Sequence, residues 1–215
     1  MQAPVLLALP VLFAAAPDPA SDRYAERVLA ALNRVRTQPR AVEAELRRYG
    51  ETFRGRVAFE DDPDRGWGTA EGAAAVKEAA SILDRQPSLP PLRPAPVLER
   101  AARAHAAEQA RSGAIGHLSS AGRGPGDRVR AAGGDAYVTE AIAYGFEAPD
   151  RAVRQLLVDD GVPRRGHRVL MLNPRLRYAG VGCAPHPRLR TVCVIDFAET
   201  PDGSPWVPPS SSPRP

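Results

Sequence analysis

Lysine is almost missing from this chain of 215 residues: Lys77 is the only one, so its basic character rests on arginine. Aromatic residues make up 6% of it, and cysteine occurs twice, as Cys183 and Cys193. No basic run interleaves aromatic residues, and acidic side chains are spread among the arginines, leaving a net charge of +4. That excludes the stacking platform of a nucleic-acid binder, and no nucleic-acid partner is expected. No segment approaches eighteen uninterrupted apolar residues, so no integral membrane segment is expected in the mature protein. Compact catalytic signatures are missing too. GRGPG at 122–126 lacks the Lys-Ser/Thr of a phosphate loop and is read as a flexible surface loop. Ser119 and Ser120 sit in no G-x-S-x-G elbow, and there is no H-E-x-x-H.

What remains has the composition of a folded protein, 43% hydrophobic and 25% charged, at a length that fits one domain. The apolar stretch from Val5 to Ala16 is too short for a mature transmembrane helix and suits a secretory leader, so residues 1–20 are read as a signal peptide. Ser21 then caps a helix to about Arg36, with Tyr24, Val28, Leu32 and Val35 on one face. A second helix follows Thr37 and Pro39 and ends at Gly50. Residues 55–68 are expected to be irregular, with Asp61, Asp62 and Asp64 in a solvated turn, since DDPD lacks the spaced ligands of a calcium loop. Thr69 and Glu71 open an alanine-rich helix to about Arg85, and QPSLPPLRPAP is a rigid connector to a helix over 97–112, stopped by Gly113.

The second half changes character. YVTEAIAYG (137–145), RYAGVGCA (177–184) and TVCVIDFA (191–198) read as strands, with short helices over 150–158 and 166–172. The last two strands form an antiparallel hairpin in which Cys183 and Cys193 are expected to bridge, a pairing that suits an exported protein. The final seventeen residues, 199–215, have the composition of a disordered Pro/Ser-rich tail.

The four histidines all follow residue 100. His105 lies on a helix face of small apolar residues and reads as a packed, hydrogen-bonded side chain; His186 sits in the hairpin turn, where exposure is the default. His117 and His167 each follow a glycine at a helix boundary. Glu140 interrupts an apolar strand, where a carboxylate needs a histidine, a metal or N–H groups as partner.

AARAHAAEQARSGAIGHLSSAG, TEAIAYG, DDGVPRRGHRVLMLNP and YAGVGCA, in that order, resemble the bacterial branch of the CAP superfamily, the SCP-like group of cysteine-rich secretory, antigen 5 and pathogenesis-related proteins. The resemblance covers roughly residues 24–198. It implies an α+β fold, a three-layer α-β-α sandwich in a single domain over 21–198, with a cleft of two histidines and two acidic residues able to hold a divalent metal, commonly zinc. By position these are His117, His167 and Glu140. TEA stands where many members have GEN, and the second acidic residue falls on Asp159, with Asp160 as the alternative. The same residues could instead form a hydrogen-bonded network tying helix ends to the sheet.

Two functions follow from this reading. One is a non-enzymatic extracellular or cell-envelope module that binds a lipid-like small molecule or a partner surface. The other is a metal-assisted, peptidase-like hydrolase using Glu140 or Asp159 as general base. No oxyanion hole or substrate-orienting motif is legible, so binding is favoured and enzymatic activity is left open.

Overall fold

The computed structural model describes residues 18, 22–145 and 148–207. The expected leader apart from Asp18, the Ser21 cap and the end of the expected tail lie outside these residues.

The apolar spacing after residue 21 does produce a helix, α1 (Asp22–Thr37), on which Tyr24, Val28 and Leu32 are wholly buried. Helix α2 (Pro39–Glu51) starts on proline but is not stopped by Gly50, which stays inside it. Thr52 closes it instead, with both its N–H (3.1 Å) and its hydroxyl (2.8 Å) on Tyr49 O, so no left-handed glycine is needed. The stretch over 55–68 is less irregular than its composition suggests. Strands β1 (Phe53–Arg54), β2 (Val57–Ala58) and β3 (Trp67–Gly68) form a small antiparallel sheet, with Gly55 at φ +63° turning the first into the second. Thr69 does not open the next helix: its hydroxyl accepts the Gly72 N–H (3.1 Å), and α3 runs Ala73–Arg85.

The main sheet has the order β4-β6-β7-β5, built from β4 (Arg93–Pro94), β5 (Val138–Tyr144), β6 (Tyr178–His186) and β7 (Arg190–Ala198). Only β4 runs parallel to its neighbour; the other pairings are antiparallel. Helix α4 (Pro96–Ser112) and helix α5 (Pro125–Ala131) cover one face. On the other face α1, α3 and α6 (Pro149–Val158) enclose the larger core with Ala179, Val181, Ile195 and Phe197. Helix α5 begins inside the segment read as a loop, because Pro125 sets the first turn and the Asp127 carboxylate accepts the Gly124 N–H (3.1 Å). The chain is thus a single-domain α-β-α sandwich, as the resemblance implied.

The period-2 alternation along β6 explains how tightly the layers meet. Val181 and Cys183 face the larger core, while Gly180 and Gly182 face α4. A Cβ on Gly180 would lie 2.1 Å from Glu99 N, and one on Gly182 2.3 Å from Arg103 N, so the α4 backbone rests directly on the strand. Cys183 and Cys193 stand opposite each other in the β6–β7 register with Cα atoms 4.1 Å apart, and they are bonded as expected. A loop of this size is stabilised by about 2 to 3 kcal/mol in the chain-entropy picture.

Two expectations fail at the edges of the sheet. His186 is 3% exposed rather than solvated: its Nε2 lies 3.0 Å from Ala114 O and its Nδ1 accepts the Leu189 N–H (3.1 Å), so it ties the hairpin to the end of α4. Residues 199–204 fold back rather than leave as a tail. The Asp135 N–H donates to Asp202 O (2.8 Å) and the Tyr137 N–H to Gly203 O (2.9 Å), pairs that give otherwise exposed backbone groups partners.

Candidate functional site

Helix α4 ends where Gly113 takes up φ +67° and donates its N–H to Gln109 O (2.8 Å), and the chain turns toward the sheet. His117 is thereby placed over β5, its Nδ1 2.8 Å from Glu140 Oε1. The other carboxylate oxygen pairs with Arg128 of α5, a residue only 7% exposed, which also donates to His117 O (2.7 Å) and Arg123 O (3.0 Å). Glu140 therefore has the partners that its apolar strand requires. Arg128 escaped the sequence reading because its short helix, which begins inside the segment 122–126 read as a loop, was not recognised.

Asp196 on β7 faces Glu140 across the ladder and is fully buried, with neither carboxyl oxygen hydrogen-bonded within normal distance. Burial, reinforced by the Glu140 charge, pushes its pKa well above the ordinary carboxylate range, and Arg128 only partly opposes this. The fold therefore disfavours the charged form of Asp196.

The second pair forms at the far end of α6. Asp159 ends that helix in the left-handed conformation (φ 57°) and is 2% exposed. Its Oδ1 lies 2.7 Å from His167 Nδ1 and its Oδ2 accepts the His167 N–H (2.9 Å) at the start of α7 (Gly166–Met171). Asp160, the alternative, is used elsewhere, accepting the N–H groups of Ala70 (2.6 Å) and Glu71 (2.8 Å). Between the two, Arg164 and Arg165 also adopt positive φ, at 65° and 53°. Arg165 pins this turn to α3 through Glu78 and to the turn before α3 through Glu71, and its guanidinium, with the Gly161 N–H, pulls the Glu71 pKa down to about 2.

Beside His167 lies a cavity of about 230 Å³ between the small sheet, α3 and α6. Tyr49, Trp67, Val76, Ile142 and Val158 give it an aromatic and aliphatic wall, and Arg151, Arg154, Gln155, Asp159, Asp160 and His167 supply polar groups. Tyr49 and Trp67 stack with ring centres 6.4 Å apart, and Arg154 sits 3.9 Å above the Tyr49 ring while pairing with Glu60 (2.7 Å). His117 and Glu140 do not line this cavity.

The four expected site residues thus come together as two histidine–carboxylate pairs rather than as one cluster. Among the described residues, no three His, Cys, Asp or Glu side chains converge to hold one metal ion. The donor chemistry agrees. Both oxygens of Glu140 are spent on His117 and Arg128, and both of Asp159 on His167, so the carboxylates orient imidazoles instead of offering ligand positions. A zinc ion held by three protein ligands does not fit these residues as arranged.

Residues 29–197 match the sequence model of the cysteine-rich secretory protein family, CAP. Two solved structures are similar. An outer surface protein from Borrelia burgdorferi is 21% identical over 56% of this chain and 86% of its own, with a TM-score of 0.42. An extracellular protein containing an SCP domain from Bacillus anthracis is 20% identical over 59% of this chain and 37% of its own, with a TM-score of 0.43. No curated protein sequence gives a significant match.

Proposed function

Since the chain belongs to the cysteine-rich secretory protein (CAP) family, we propose that it is an exported binding module whose cavity beside His167 takes a small, lipid-like molecule. The observation that carries this reading is the cavity itself: an aromatic and aliphatic wall with an oriented imidazole at its margin. Ligand sites typically combine apolar walls with convergent polar groups, here Gln155, His167 and the charged Arg151, Arg154, Asp159 and Asp160. At about 230 Å³ the space lies just below the usual range for small-molecule pockets, so it suits an acyl chain or ring rather than a whole lipid. The Cys183–Cys193 bridge supports a location in the envelope or outside the cell, where disulfides persist. Metal-assisted hydrolysis draws less support, because neither carboxylate keeps an oxygen free to act on a metal-bound water.

Trp67 lines the cavity and the only other tryptophan is Trp206, so Trp206→Phe leaves a single fluorescent reporter at the site. Titration of that variant with decanoate, decanol and a short-chain phospholipid should give a saturable change for at least one of them. Gln155→Phe, at an exposed position on the cavity margin, should weaken it. Flat titrations with all three would sink the proposal.

A further inference from the structure

The His117 side chain keeps 52% of its full exposure, yet the backbone on both sides of it is held by polar groups from the interior. The peptide before it belongs to Gly116, at φ +103°. Its N–H donates to Tyr144 Oη (2.8 Å), the Tyr144 hydroxyl donates to Gln109 Oε1 (2.7 Å), and Gln109 Nε2 donates back to Gly116 O (2.8 Å). Three hydrogen bonds thus close a ring around one residue, engaging both its N–H and its C=O. Reversing the Gln109 amide would set two carbonyl oxygens against each other, so the ring has one sense. His105 Nε2 lies 2.7 Å from Gln109 Nε2 and backs the amide from inside α4. On the other side, Arg128 takes the His117 carbonyl while holding Glu140.

Gln109 is 1% exposed and Tyr144 half-buried, so these polar groups are committed inside the fold and not to water. Packing alone would be served as well by apolar side chains; a closed buried network instead specifies one geometry. We infer that Tyr144 and Gln109, acting with Arg128, are positioning residues for His117. They fix the ring so that Nδ1–H faces Glu140 and Nε2 is the position left to meet a ligand. Glu140 alone would not do this. A glycine, alanine and serine-rich loop has many backbone states, and a single contact between a half-exposed histidine and a buried carboxylate fixes the ring without fixing the backbone that carries it. The inference concerns His117 and holds whether or not the cavity beside His167 takes an apolar molecule.

The test reads the imidazole nitrogens of histidine-labelled protein by NMR at a pH where the rings are neutral. In the wild type, His117 should show a single Nδ1–H tautomer. Tyr144→Phe, which deletes only the hydroxyl, should move the two His117 nitrogen shifts toward each other as the tautomers mix. His167 should stay unchanged and report that the fold is intact. Gln109→Met should do the same, and it decides the matter if Tyr144→Phe does not fold. Unchanged His117 signals in a folded variant, or equal movement of His167, would overturn the inference. So would failure of both variants to fold, since the network would then serve stability and not the aim of the ring.

Discussion

Glu140 and Asp196 stand opposite each other across the β5–β7 ladder, two buried carboxyl groups beside the guanidinium of Arg128. Glu140 takes both partners within reach, Arg128 and His117, and Asp196 is left without either. A second unpartnered charge there would carry an uncompensated desolvation cost, which disfavours the charged form of Asp196.

That preference makes stability depend on pH with a definite sign. In the unfolded chain Asp196 ionises at its ordinary value, 3.8, while in the fold it is raised well above this. The native state then binds more protons than the unfolded state, so this residue's contribution falls as pH rises above about 3.8. Asp196→Asn keeps the shape and removes the ionisation. Its thermal midpoint should exceed that of the wild type at pH 7, with the difference closing as pH falls below about 4. Equal midpoints throughout that range, or a less stable variant at pH 7, would show that the fold does not disfavour the charged form of Asp196.

Helices and strands with an uninterrupted period were legible in the sequence. Tyr24, Val28 and Leu32 announced α1, and the facing cysteines announced the β6–β7 hairpin, because burial of one face leaves a pattern in the residue order. Polar residues whose partners are distant in sequence were not. Glu140 was recognised as needing a partner, but Arg128 sits on a seven-residue helix too short to show a period, and Asp196, inside the strand TVCVIDFA, was not singled out. The histidines were found singly, and their sorting into two pairs was not foreseen. That sorting depends on which face of β5 carries Glu140 and on Asp159 adopting a left-handed cap, neither of which sequence spacing reveals.

Arg36 shows the same limit in the core. It is 1% exposed and donates to four carbonyls: Pro90 (3.0 Å), Met171 (2.9 Å), Asn173 (3.0 Å) and Leu176 (3.0 Å). This fastens α1 to two distant turns. Lysine keeps the charge but lacks the planar fork, leaving buried acceptors unmet at about 1 to 3 kcal/mol each. Arg36→Lys should therefore lose about 3 kcal/mol and lower the thermal midpoint by roughly 6 to 12 °C. A change within about 1 °C would mean that water or repacking satisfies those carbonyls.

Zinc is the expectation on which the resemblance and the geometry part. A structural or catalytic zinc site needs at least three protein ligands, whereas each pair here offers one imidazole Nε2, its Nδ1–H being held by a carboxylate. Recruiting Glu140 as a ligand would also take Oε1 from His117, since Oε2 is held by Arg128, and the imidazole would lose the partner that orients it. Calorimetric titration of the oxidised protein with zinc should accordingly show no stoichiometric binding at micromolar concentration. The His117→Ala/His167→Ala double variant should give the same trace as the wild type. One-to-one binding that disappears when either histidine is replaced would require the two pairs to meet, and would restore the single cleft that the sequence suggested.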